Sequence, residues 1–256
     1  MLLIIFLRPA IALALLLVGQ ASWAGTKVLV AVASNFSKPM TEIAAEFEKA
    51  TGHSAKLSFG SSCKFISQLE NGAPFEVLLS ADEKGPQKLE QTGLAVPGTH
   101  FTYALGKLVL WSSSPGYVDD QGKILTSGGF KHLALVDPKL APYGAAAIDV
   151  LKGLNLQNKL KPLFVLSENI AQTYQFISTG NAELGFVALS QVIENGHCAT
   201  GSCWIIPEDR HAPIRQDAAL MTKGAENPAA SALLSYLKSA PALAIIEKYG
   251  YGLPKK

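Results

Sequence analysis

The stretch from Lys27 to Gly52, KVLVAVASNFSKPMTEIAAEFEKATG, decides the fold. Its first seven residues form a β-rich apolar run. From Lys38 to Ala50 the apolar positions Met40, Ile43, Ala44 and Phe47 fall on one helical face, with Pro39 in the first turn and Gly52 just past the end. Strand, loop and helix therefore follow one another directly. The unit repeats downstream: Ala55 to Phe59 reads as strand, Ser62 to Glu70 as helix, Phe75 to Ser80 as strand and Glu83 to Thr92 as helix. Alternation of this kind predicts a mainly parallel sheet flanked by helices.

A second series begins at Lys107 to Ser112. It continues with strands at Leu133 to Val136, Leu163 to Leu166 and Leu184 to Val187, and helices at Ala145 to Leu151 and Ala171 to Ser178. Trp204 to Ile206 and Ala218 to Met221 read as strands, and helices around Ala229 to Leu237 and Pro241 to Tyr249 close the chain. Two α/β lobes are expected: lobe I from residues 25–105 and 218–256, lobe II from 106–217, with crossings near Tyr103 to Gly106 and Gln216 to Ala219.

Upstream of this lies Met1 to Ala24, with one charge (Arg8), an apolar run from Ile11 to Val18, and Ser22-Trp23-Ala24 ahead of Gly25. The arrangement predicts a cleavable secretory signal, too short to anchor and followed by no cysteine for a lipid. The expected location is the periplasm. Without Arg8, 21 basic residues face 20 acidic ones, a balance that points away from nucleic acid and from charged membranes as partners. A monomer is expected.

Three cysteines remain. Cys198 and Cys203 flank a Gly-Ser turn in an exported chain, which reads as a local disulfide; a metal site with His197 is the competing reading. Cys63 is left over.

Several strand-to-helix loops offer donors to an anion. Ala33-Ser34-Asn35-Phe36-Ser37 follows the first strand, and Phe59-Gly60-Ser61-Ser62-Cys63 follows the second. Helix amino termini present unpaired N–H groups and partial positive charge, so an oxyanion can be held there without Lys or Arg. Asp137 through Gly144 and Ser167-Glu168-Asn169-Ile170 begin two further helices. Each loop by itself is equally explained by helix capping or turn formation.

Taken in order, Ala33-Ser34-Asn35-Phe36, Gly60-Ser61-Ser62, Ser80-Ala81-Asp82, Asp137-Pro138 through Pro142-Tyr143-Gly144, Ser167-Glu168-Asn169 and Leu184-Gly185-Phe186-Val187 resemble the periplasmic molybdate-binding proteins. The resemblance spans nearly the whole mature chain. It implies a two-lobed type II periplasmic-binding-protein fold that buries molybdate or tungstate between neutral donors and hands it to the membrane permease of an ABC importer. No cofactor is implied, and molybdenum would be held only as the oxyanion. Carried over by position, Ser34, Asn35, Ser62, Tyr143 and Ile170 are the ligand-contacting residues, the last two through their main-chain N–H groups.

Two departures stand out. Ala188 replaces a tyrosine that many members place after the Gly-Phe-Val strand, and the Asn35 carboxamide is the expected substitute donor. Cys63 replaces the usual glycine, which raises the expectation of altered loop geometry and of oxidation-sensitive binding.

Competing classes fare less well. A hydrolase would need more than Ser61 or Ser62: Gly-x-Ser-x-Gly is absent, and His53, His100, His132, His197 and His211 lie in no triad setting. Ferric iron would need clustered Tyr, His or carboxylate ligands. A binder of sulfate or another small tetrahedral oxyanion, using the same neutral logic in a smaller pocket, is the alternative function.

Overall fold

The computed structural model describes residues 25–194 and 196–254. Residues 1–24, read above as a signal peptide, lie outside the described residues.

The chain opens with β1 (Lys27–Ala33), α1 (Ser37–Thr51), β2 (Ser54–Gly60), α2 (Ser62–Glu70), β3 (Val77–Leu79), α3 (Lys84–Gln91) and β4 (Phe101–Gly106). It continues with β5 (Leu108–Ser112), α4 (Ile124–Ser127), β6 (Leu133–Val136), α5 (Pro142–Gly153), α6 (Gln157–Leu160), β7 (Phe164–Ser167), α7 (Ile170–Ser178), β8 (Leu184–Ala188) and α8 (Leu189–Val192). A small ribbon, β9 (Ile193–Glu194) with β10 (His197–Cys198), precedes β11 (Ser202–Ile205), β12 (Ile214–Leu220), α9 (Pro228–Tyr236) and α10 (Ala240–Lys248).

Two five-stranded sheets result. The first runs β2-β1-β3-β12-β4; the second, read from its β7 edge, runs β7-β6-β8-β5-β11. The plan is the same in both. In each, four strands point one way and the fourth in order, β12 or β5, runs against them. The sheets are thus mixed rather than wholly parallel.

Burial explains the layers. Along β1, Val28, Val30 and Val32 face a cluster with Phe36, Met40, Ile43 and Phe47 of the α1 region and with Leu233 and Ile246 of the closing helices. Ala31 faces the other side, toward Phe65, Leu69 and Leu89. A strand covered on both faces reads as a continuous apolar run, which is how KVLVAVA is written. The second sheet is likewise covered, by α5 on one face and α7 on the other.

The first crossing adjoins the expected one, whereas the second comes earlier in the chain than expected. Residues 103–106 and 216–219 are not connectors: they lie in β4 and β12, which pair with each other antiparallel. Lys107 alone separates β4 in the first sheet from β5 in the second, and residues 206–213 carry the chain back.

Candidate functional site

The amino ends of four helical segments converge where the sheets face each other. Ser34 and Asn35 begin a single 3-10 turn at the end of β1, Ser62 begins α2, Tyr143 sits one residue inside α5, and Ile170 begins α7. All five are buried, and together with Ala33, Gly60, Ser61, Ala81, Ala141 and Asn169 they line one small cavity. No charged side chain is among them. The structure therefore brings together every residue singled out as ligand-contacting from the sequence.

Local chemistry fixes these groups. Pro142 occupies the first position of α5, where a missing N–H costs nothing, and leaves the Tyr143 N–H in the first turn without an acceptor inside the helix. Asn169 caps α7 by accepting from the Ala171 and Gln172 N–H groups, each at 3.1 Å, so the Ile170 N–H is not claimed by the cap. The Ala81 N–H donates to Ser62 Oγ at 2.9 Å, and the hydroxyl proton stays available to a ligand.

The capping explanation of the loops does not hold for the first two. Neither α1 nor α2 receives a side-chain cap: the α1 cap position is Phe36, and Ser61, at the α2 cap, donates across the cleft to the Leu140 carbonyl at 2.6 Å. Gly144 matters for placement. A Cβ on it would lie 2.2 Å from the Val136 carbonyl oxygen and 2.9 Å from Pro138 Cα, so only glycine lets α5 start this close to the end of β6.

The Asn35 carboxamide is a correction. Its Nδ2 donates to Gln216 Oε1 at 2.8 Å and to the Tyr251 hydroxyl at 3.0 Å, which uses both of its protons inside the protein. It is not the substitute for the tyrosine missing at Ala188. What remains to Asn35 as an anion donor is its main-chain N–H in the first turn of the 3-10 segment.

Comparison with known proteins agrees with the geometry. Residues 28–252 match the family model described as bacterial extracellular solute-binding protein. The molybdate-binding protein ModA of Azotobacter vinelandii is 57% identical over 227 residues, covering 89% of this chain and 90% of that one. ModA of Rhodobacter capsulatus is 50% identical over 242 residues, covering 94% of each. The solved periplasmic molybdate-binding protein of Azotobacter vinelandii superposes with a TM-score of 0.86 at 42% identity, covering 89% of this chain and all of that one. The chain belongs to the periplasmic molybdate-binding family of solute-binding proteins.

Behind the cavity, a buried hydrogen-bond network that sequence reading missed joins the two sheets' elements. The Tyr103 hydroxyl donates to Gln216 Oε1 at 3.0 Å, and Gln216 Nε2 donates to the Tyr143 hydroxyl at 3.1 Å. Tyr251 and Ser190 complete the set around Asn35. Burial raises the phenols of Tyr103 and Tyr143 well above the ordinary tyrosine value and pushes Tyr251 up to about 12, so all three stay protonated near neutrality. The only sequence signal was a polar run, Arg215-Gln216-Asp217, beside the apolar residues Ala218 to Leu220.

A larger, open hollow lies beside the cavity, between α2, the start of α3, α5 and residues 212–215. Its walls carry Glu70, Glu83, Asp149, Lys84, Lys88 and Arg215, chemistry suited to water rather than to a buried dianion. Cys63 opens onto this hollow and not onto the small cavity. It sits in α2 with negative φ, so the loop carries no strain there, and burial raises its thiol pKa, with Asp82 adding to the rise. Cys198 and Cys203 are joined by a disulfide, with Cα atoms 6.5 Å apart. Among the described residues no three His, Cys, Asp or Glu side chains cluster as a metal site.

Proposed function

We propose that this chain captures molybdate, and tungstate equally, in the closed cleft and delivers it from the periplasm to the permease of an ABC importer. The observation that carries the reading is the neutral cavity itself, ringed by the first turns of four helical segments and by the hydroxyls of Ser34 and Ser62. The close relatives named for molybdate support the choice of anion.

The proposed cradle consists of Ser34 and Ser62 hydroxyls with main-chain N–H groups of Asn35, Tyr143 and Ile170. A site made only of donors accepts a fully ionised tetrahedral dianion, because every ligand oxygen brings lone pairs. A protonated phosphate brings a donor to donors and leaves one pair unmatched, at about 1–3 kcal/mol. Molybdate and tungstate have nearly the same size, whereas sulfate is smaller and leaves donors out of reach. The partial positive charge at helix amino ends replaces a counter-ion. The proposal includes removal of residues 1–24 on export and action as a monomer.

The test is isothermal titration of the chain from Gly25 onward, stripped of carried-over ligand, with molybdate, tungstate, sulfate and phosphate. Tight one-to-one binding of the first two alone is expected. Binding of sulfate in preference to molybdate, or silence from all four, would overturn it.

A further inference from the structure

We propose that Gln216 is a positioning residue that ties the anion site to the passage between the lobes by holding the side chain of Tyr143. The inference rests on the oxyanion reading above and goes beyond it, because Gln216 lines no part of the cavity.

Gln216 has no exposed surface and lies in β12 at the point where the register against β4 shifts, between Gln216 and Asp217. One end of its carboxamide accepts from two residues of the first lobe, Asn35 at 2.8 Å and Tyr103 at 3.0 Å. The other end donates to one residue of the second lobe, the Tyr143 hydroxyl at 3.1 Å. A carboxamide is the neutral side chain that presents an acceptor at one end and donors at the other, so it joins the lobes without placing a charge behind the anion.

Tyr143 then carries two attachments. Its main chain sits in the first turn of α5 and faces the cavity, while its ring reaches back to the two strands at which the chain changes lobes. The slot for the hydroxyl is built by an absence. A Cβ on Gly106, the last residue of β4, would lie 2.4 Å from the Tyr143 hydroxyl and 2.6 Å from Gln216 Nε2. When the lobes part, Tyr143 leaves with the second lobe and Gln216 Nε2 loses its acceptor in a place where water must replace it. Anion binding and the Gln216 contact therefore pull on the same residue in the same direction, and Gln216 slows release.

The test compares native protein, Tyr143→Phe, Gln216→Leu and the double variant by titration with molybdate and by its dissociation rate. Tyr143→Phe keeps the main-chain donor, so a role confined to the cavity predicts no change. The proposal expects release to speed up about five- to twentyfold with little change in association. It also expects Tyr143→Phe to have almost no further effect in the Gln216→Leu background, since the partner is already gone. Equal effects in both backgrounds, or native release from Tyr143→Phe, overturn it, and the second result stands even where Gln216→Leu fails to fold. Silence of the native protein toward molybdate removes the proposed function and this inference together, whereas native binding with unchanged Tyr143→Phe removes the inference alone.

Discussion

The Ser190 hydroxyl, carried by α8 on the second lobe, donates to the main-chain carbonyl of Asn35 at 2.8 Å, and the Tyr251 hydroxyl reaches both Ser190 Oγ and that carbonyl. Asn35, whose N–H belongs to the proposed cradle, is thus gripped from the opposite lobe through its other main-chain group. Ser190→Ala, which touches no ligand, should weaken molybdate binding about fivefold, the value of one net hydrogen bond of about 1 kcal/mol. Titration calorimetry of the variant decides this, and unchanged affinity would mean the contact contributes nothing to closure.

The two hydroxyls of the cradle should separate cleanly. Ser34→Ala and Ser62→Ala each remove a proposed ligand donor and should raise the molybdate Kd roughly 5- to 150-fold. Ser62→Ala also orphans the buried Ala81 N–H, so it alone should lower the melting temperature of ligand-free protein. A matched loss of stability in Ser34→Ala would show that its hydroxyl is structural.

Gly144→Ala forces a methyl into the Val136 carbonyl and Pro138. Moving the start of α5 aside costs about 1–3 kcal/mol and carries the Tyr143 N–H off its mark. Both melting temperature and molybdate affinity should fall. Native affinity would place the anion away from α5.

Asp217 gives the pH dependence. It is buried, one of its oxygens has no hydrogen-bond partner among the described residues, and burial raises its pKa above 3.8. The Thr102 hydroxyl, His100 and Arg215 favour its charged form, whereas Glu83 opposes it, and burial outweighs all of them. A group raised on folding contributes stability that is full below its unfolded pKa and is lost as pH rises through the folded value. Asp217→Asn should therefore gain melting temperature relative to native protein as pH rises above the ordinary aspartate range, and a difference that does not vary with pH would refute the assignment.

Cys63 should prove indifferent to the anion. Its thiol is raised by burial and opens onto the outer hollow, so alkylation near neutral pH should be slow and the modified protein should bind molybdate within about threefold of native. A larger loss after alkylation would restore the expectation of oxidation-sensitive binding.

Much of this was written in the local sequence. The alternation around β1, α1, β2 and α2 places the first sheet, and the five cradle residues sit where strand ends meet helix starts. What escaped was long-range. Gln216, Tyr251 and Ser190 find Asn35 across 181, 216 and 155 residues, and no periodicity records such a pairing. Asn35 was misread for the same reason: a carboxamide at a strand end looks free until the distant groups that occupy it are in place. β4 escaped as well, its residues Tyr103 to Gly106 having been read as a crossing between the lobes.

The position of β12 has a consequence in time. It lies between β3 and β4, yet residues 107–213 intervene before it is made, and the second sheet is written entirely within them. Growing from its amino end, the chain can finish the second lobe while the first still has a gap through its middle. This topology predicts that the first lobe folds later, since its sheet is completed only by closing a long loop. On the proposed export, a lobe that waits for its last strand would keep part of the chain ready to thread.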